Sequence, residues 1–223
     1  YKCFEPEYIY NMVDKSLNNF NIETLDILYL HGPTLDDLNI NGLFPALRYL
    51  IKQKKIKRFG VNTHDIRVME RIAEVGFDEI SDIMIDYNLL QQDRVCIINK
   101  LFSQGIKISC GTALCQGLLI QSALKLFLRS KDPFVLARII LKENTRKFIG
   151  PARKVRNHMK IVEPSYCQQI PLSFLLQDKR ISTVPIGMMS KYSLDRNIKQ
   201  LLSPIPLEKV NKIANWCFDN AQI

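Results

Sequence analysis

Five short apolar runs alternate with stretches of helical periodicity, and this alternation constrains the fold more than any other feature. Residues 25–30 form a near-continuous apolar run that contains Asp26 and stops at His31-Gly32-Pro33. A run without polar alternation suits a parallel strand buried on both faces, and Gly32-Pro33 ends it. Residues 58–62, 83–87, 106–111 and 182–186 repeat the pattern. Between the runs, apolar residues recur at helical spacing. Ile9, Val13, Leu17 and Phe20 follow Pro6-Glu7, and further helices are predicted over 44–54, 66–75, 94–104, 118–128, 133–142, 165–178, 193–202 and 206–220. Pro171 is expected to kink or break its helix. The basic stretch 146–163 reads as a long irregular surface connection. Strands that alternate with helices imply a parallel sheet with helices packed over it. Five strands fit an open doubly wound sheet and also fit part of a closed barrel of eight. No G-x-G-x-x-G follows any strand, which weighs against a dinucleotide-binding doubly wound fold.

Composition excludes several function classes. At 223 residues with 47% hydrophobic and 24% charged residues, the chain reads as globular, with residues 1–223 forming one domain or part of one. The formal charge of +9 raises nucleic-acid binding, but the main basic run, Lys52 to Arg58, falls at a helix end, where cations offset the dipole. No aromatic residues interleave with it, so no nucleic-acid partner is expected. Six cysteines without a C-x-x-C pair, and three histidines apart from them, argue against a metal site. No secretory leader or membrane span is read. The expectation is therefore free thiols in a reducing compartment, the cytoplasm.

In either parallel architecture, functional groups gather at the C-terminal ends of strands. The polar residues there are His31, Asn62-Thr63, Tyr87-Asn88, Thr112 with Gln116, and Gly187 to Ser190. An imidazole at a strand end can donate a hydrogen bond to a substrate oxygen or exchange a proton near neutral pH. A satisfied core histidine is the competing reading of His31.

Several segments resemble one family in order and spacing. Asp26-Ile27-Leu28-Tyr29-Leu30-His31-Gly32-Pro33 is similar to the strand-four motif of aldo-keto reductases, and Ser16-Leu17 to the Ser-Leu of the helix before it. Lys57-Arg58-Phe59-Gly60-Val61-Asn62-Thr63 resembles I-R-x-I-G-V-S-N, and Asp86-Tyr87-Asn88-Leu89-Leu90 resembles E-Y-N-L-L. Leu114-Cys115-Gln116-Gly117-Leu118-Leu119 is similar to P-L-G-Q-G-L-L, without its proline. Val184-Pro185-Ile186-Gly187, followed by Leu194-Asp195-Arg196-Asn197, is similar to the I-P-G…L-E-E-N cofactor segment.

The resemblance implies a (β/α)8 TIM barrel and an NAD(P)H-dependent oxidoreductase that interconverts aldehydes or ketones, sugars among them, and alcohols. His31 takes the place of the histidine that orients the carbonyl. Asn62 and Thr63 fall where the family's Ser-Asn pair holds the nicotinamide carboxamide. Met84 stands where glutamine is common, and Gly111 where some members stack a tyrosine. Thr112, Leu114 and Gln116 match the loop near the pyrophosphate. Gly187, Met188, Ser190, Ser193 and Asn197 match the adenosine end; the nearby Lys191 and Arg196 either pair with a 2′-phosphate or stand as solvated charges at a helix entry. NADP is the expected cofactor, with NAD as the alternative.

The family's catalytic tyrosine, lysine and aspartate precede the helix that opens at Pro6. The resemblance therefore implies a partial barrel: five C-terminal strands with their helices, the first three strands missing, and no activity from this fragment alone. A non-catalytic, reductase-like binding or regulatory module is the alternative, and an unrelated parallel α/β enzyme is the third possibility.

Overall fold

A computed structural model describes residues 2–75, 80–130, 143–187 and 191–222. Five strands hydrogen-bond in chain order, β1 (Leu28–His31), β2 (Phe59–Asn62), β3 (Ile80–Asp86), β4 (Lys107–Gly111) and β5 (Ile181–Thr183), and the pairs β1/β2 and β2/β3 are parallel. The chain divides into two compact units: Tyr1–Ile85 with Cys96–Ser109, and Asp86–Val95 with Cys110–Ile223.

In the first unit, helix α1 (Pro6–Phe20) begins on a proline, whose missing N–H is harmless in a first turn. It buries Ile9, Val13 and Leu17, one stripe at four-residue spacing, and stops at Asn21 in the left-handed region. A short helix, α2 (Leu35–Leu38), is opened by a reciprocal cap between Thr34 and Asp37. Three more helices repeat the amphipathic logic. α3 (Leu43–Lys52) buries Leu43, Ala46, Leu47 and Leu50; α4 (Ile66–Val75) buries Val68, Met69, Ile72 and Ala73; and α5 (Val95–Ser103) buries Ile98 and Leu101. The β2/β3 register shifts between Phe59 and Gly60. Gly60 is required there, because a Cβ would lie 2.5 Å from the Asp82 carbonyl oxygen and 3.0 Å from a Tyr29 ring carbon.

In the second unit, a 3-10 turn (Cys115–Gly117) leads to α6 (Ala123–Ser130), α7 (Glu143–Val162) and α8 (Ile170–Leu176). After β5 come α9 (Lys191–Leu202) and α10 (Leu207–Asn220). Leu89, Leu90, Leu118, Leu119, Val155, Met159, Ile170, Ile213 and Cys217 are buried in one cluster. The Gln92 amide ties α10 to this core by donating to the Ala214 carbonyl at 2.9 Å.

Three sequence expectations are corrected. Residues 146–163 are not an irregular connection but most of α7. Ala152, Val155 and Met159 form a buried stripe beneath its basic residues, and packing of that stripe outweighs Gly150-Pro151 and the charge. The helix expected over 118–128 starts only at Ala123, because Gln116 and Gly117 take left-handed backbone and Leu118 to Ile120 turn into the core. The helix expected over 165–178 is confined to Ile170–Leu176, so Pro171 lies in its first turn and kinks nothing. The helix expected over 133–142 falls on residues outside those described.

Candidate active site

In the first unit, strand register creates a row of three residues across the sheet, two of them at strand ends. His31 is the partner of Asn62, and Asn62 of Met84. The Asn62 amide nitrogen lies 2.8 Å from His31 Nδ1. An amide nitrogen only donates, so Nδ1 accepts and the proton of a neutral ring sits on Nε2. His31 is exposed, so Nε2–H is open to a substrate oxygen, and the core-histidine reading is not what the structure has. Thr63 follows the row but is 1% exposed. Its hydroxyl oxygen accepts from the Asp65 N–H at 3.1 Å, and its own N–H donates to the Met84 carbonyl at 2.9 Å. Both bonds shape the entry to α4. The Arg67 guanidinium, 2.6 Å from Asp65, holds that carboxyl below the usual carboxylate range.

In the second unit, a second set of residues surrounds the turn after β4. Thr112, Cys115 and Gln116 have φ of 51°, 45° and 57°, and Gly117 has 91°. Each left-handed non-glycine residue costs about 1–2 kcal/mol, so the turn needs external bracing. Three side chains supply it. Thr112 donates its hydroxyl to Asp86 Oδ1 at 2.8 Å. Thr145 of α7 donates to Gln116 Oε1 at 3.0 Å. Asn88, with no exposed surface, bonds the turn at two points, the Thr112 carbonyl and the Cys115 thiol. Leu114 is half-buried between them. Tyr87 points elsewhere, with its hydroxyl 3.5 Å from an Arg180 nitrogen and its ring tilted on Phe174. Burial, aided by the nearby Asp178 carboxylate, pushes its phenol up to about 12.

The residues expected at the adenosine end also lie in the second unit. Gly187 is exposed, Ser193 half-buried and Asn197 buried. Asn197 Oδ1 accepts long bonds, 3.4 Å, from Nε and Nη2 of Arg196. Lys191 is exposed in the first turn of α9, which holds no acidic residue. Met188 and Ser190 lie outside the described residues.

Among the described residues no cluster of metal-ligating side chains is found, and no helix is long and apolar enough to cross a membrane. Cys110 and Cys217 are pushed up to about 12 by burial, and Cys115 is pushed up as well, so these thiols stay protonated at neutral pH.

The structure thus brings His31 and Asn62 together in one unit, and Thr112 and Gln116 into one braced turn in the other. Sequence reasoning missed Asp86, Thr145 and the bracing role of Asn88. The sequence shows Asn88 as a polar residue at a strand end, but its partners are 24 and 27 residues away and carry no local signal.

The sequence model of the Aldo/keto reductase family matches residues 2–216. A curated L-glyceraldehyde 3-phosphate reductase of Escherichia coli O157:H7 is 22% identical over 212 residues, which covers 87% of this chain and 58% of that protein. The chain therefore spans little more than half the length of the curated relatives it matches. Aldo-keto reductase AKR11C1 from Bacillus halodurans, in its holo form, superposes with a TM-score of 0.72 at 19% identity, covering 96% of this chain and 69% of that one. The glycerol dehydrogenase AKR11B4 from Gluconobacter oxydans gives 0.72 at 17% identity, with coverage of 99% and 66%. At these identities the superpositions speak to the fold.

Proposed function

The chain belongs to the aldo-keto reductase family, and on that premise we propose that it is part of an NAD(P)H-dependent barrel oxidoreductase interconverting small carbonyl compounds and alcohols. The observation that carries the reading is His31, an exposed imidazole at a strand end whose Nδ1 is occupied by Asn62, leaving Nε2–H to hold a carbonyl oxygen. A bound nicotinamide supplies or accepts the hydride. Short polyols, hydroxyaldehydes and their phosphates are the substrate class we favour, since named relatives are a glyceraldehyde 3-phosphate reductase and a glycerol dehydrogenase. A single partial barrel domain over residues 1–223 and a cytoplasmic location belong to the same proposal.

The residues present fit the cofactor unevenly. In the second unit, Thr112, Leu114, Gln116, Gly187, Ser193 and Asn197, with Met188 and Ser190, are assigned to the phosphates and the adenosine; the Thr112 hydroxyl already donates to Asp86, so backbone and amide groups are what suits a phosphate there. Lys191 sits badly with the positive end of the α9 dipole unless an anion is there, which favours a 2′-phosphate and hence NADP. In the first unit, Asn62 and Thr63 are assigned to the carboxamide, yet the Asn62 amide nitrogen lies on His31, the Thr63 side chain is buried with its oxygen accepting from the Asp65 N–H, and Met84 offers only a thioether. This supports the second reading, a non-catalytic dinucleotide-binding module.

The resemblance assigns no residue of this chain to the family's tyrosine, lysine or aspartate. The 223 residues by themselves are expected to bind reduced dinucleotide, NADPH more tightly than NADH, without reducing aldehydes. Fluorescence titration, and a nicotinamide absorbance assay with glyceraldehyde and its 3-phosphate, test this. Binding of neither dinucleotide overturns the proposal, and turnover by these residues alone overturns the placement of the proton donor. Hydride transfer by the protein isolated from its natural source separates enzyme from binding module, and His31→Ala should slow it by about 100-fold.

A further inference from the structure

Asn88 carries more hydrogen bonds than its place in the chain requires. Its Nδ2 donates to Gln91 Oε1 at 2.8 Å and to the Thr112 carbonyl at 3.3 Å. Its Oδ1 accepts from the Leu90 N–H at 2.9 Å and from the Cys115 thiol at 3.1 Å. Both donors and both acceptor positions of the amide are therefore used. Two of the four bonds are local and shape the chain after β3. The other two reach the left-handed turn after β4 at Thr112 and Cys115, two of its three strained non-glycine residues. The Cys115 thiol is buried, which keeps it protonated and able to donate. Such a turn relaxes unless its surroundings over-determine it, and Asn88 bonds it at two points.

We infer that Asn88 is a positioning residue that sets cofactor affinity by holding the Thr112–Gln116 turn in its left-handed form. This rests on the proposed assignment of that turn to the dinucleotide. Aspartate has the same shape and keeps the two acceptor roles, but it turns an oxygen against the Thr112 carbonyl and Gln91 Oε1. Alanine at Cys115 deletes one bond, whereas serine keeps a donor.

The test is titration of the purified protein with NADPH, fitting the dissociation constant separately from the fraction of protein that binds. Asn88→Asp should weaken binding at least tenfold. Cys115→Ala should weaken it several-fold, and Cys115→Ser less than Cys115→Ala. A purely structural role would lower the binding fraction and leave the dissociation constant of the remainder unchanged, and that outcome overturns the inference. If Asn88→Asp does not fold, the Cys115→Ala and Cys115→Ser pair decides, and equal constants for these two and the unaltered protein refute it. An unaltered protein that binds neither NADPH nor NADH brings down the functional reading and this inference together. An unaltered protein that binds, with variants that bind equally well, brings down the inference alone.

Discussion

Cys217 offers a test of how tightly the second unit is packed. It is fully buried in the core cluster of that unit, and burial alone pushes its thiol from the ordinary 9.0 up to about 12. The folded state therefore holds its proton more tightly than the unfolded state. The resulting stability is complete below the unfolded value of 9.0 and disappears as pH climbs toward about 12. At pH 11 an unfolded thiol is about two pH units above its midpoint while the folded one is mostly protonated. At ~1.4 kcal/mol per unit, Cys217 should cost the fold ~3 kcal/mol between pH 8 and pH 11. Other buried groups, Cys110, Cys115 and Tyr87, also titrate upward, so the whole loss cannot be assigned to one thiol. Comparison with Cys217→Ala removes that problem, because the other groups are common to both proteins. The variant should start lower by about 1 kcal/mol, for the cavity left by the sulfur, and then lose ~3 kcal/mol less than the unaltered protein over the pH interval. Urea unfolding under reducing conditions, followed by circular dichroism at the two pH values, gives both numbers. Identical losses for the two proteins would mean that water reaches Cys217, and would refute the description of that core.

Two further outcomes follow from the structure. Gly60→Ala should destabilise the first unit by about 3 kcal/mol and speed amide exchange along β2 and β3, because the nearest obstacle, the Asp82 carbonyl oxygen at 2.5 Å, is backbone and cannot swing aside. His158 stacks on Trp216, the one tryptophan in the sequence, with ring centroids 3.8 Å apart. Burial, helped by the Lys212 charge, lowers the pKa of that imidazole from 6.5, so Trp216 emission should change with a midpoint below 6.5, and Lys212→Ala should move the midpoint upward.

The two halves of the problem were not equally open to sequence reasoning. Four of the five strands and most helices were readable because their signals are local: an unbroken apolar run such as that leading to His31, or a stripe such as Ile9, Val13 and Leu17. The strand expected over 182–186 is instead Ile181–Thr183, ending before Pro185, so Gly187 lies four residues beyond its end. The 146–163 segment failed because charge and a Gly-Pro pair dominate its composition, while its helical form depends on what Ala152, Val155 and Met159 meet in the core. Family motifs located His31, Asn62, Thr112 and Gln116, but residue type does not say which partner a side chain chooses.

By itself, the sequence determined the alternating α/β architecture and the strand end on which an imidazole sits, because periodicity and stop residues act within a few positions of one another, and its motifs carried the resemblance to the family. Tertiary structure decided the rest. It set the β1-β2-β3 register that puts Asn62 on Nδ1 of His31, the glycine that β2 needs against Asp82, and the buried amide of Asn88 that holds a left-handed turn. Each of these depends on contacts between segments some 20 to 30 residues apart, and hydrogen-bond partners at that separation are selected by packing and leave no mark on local composition.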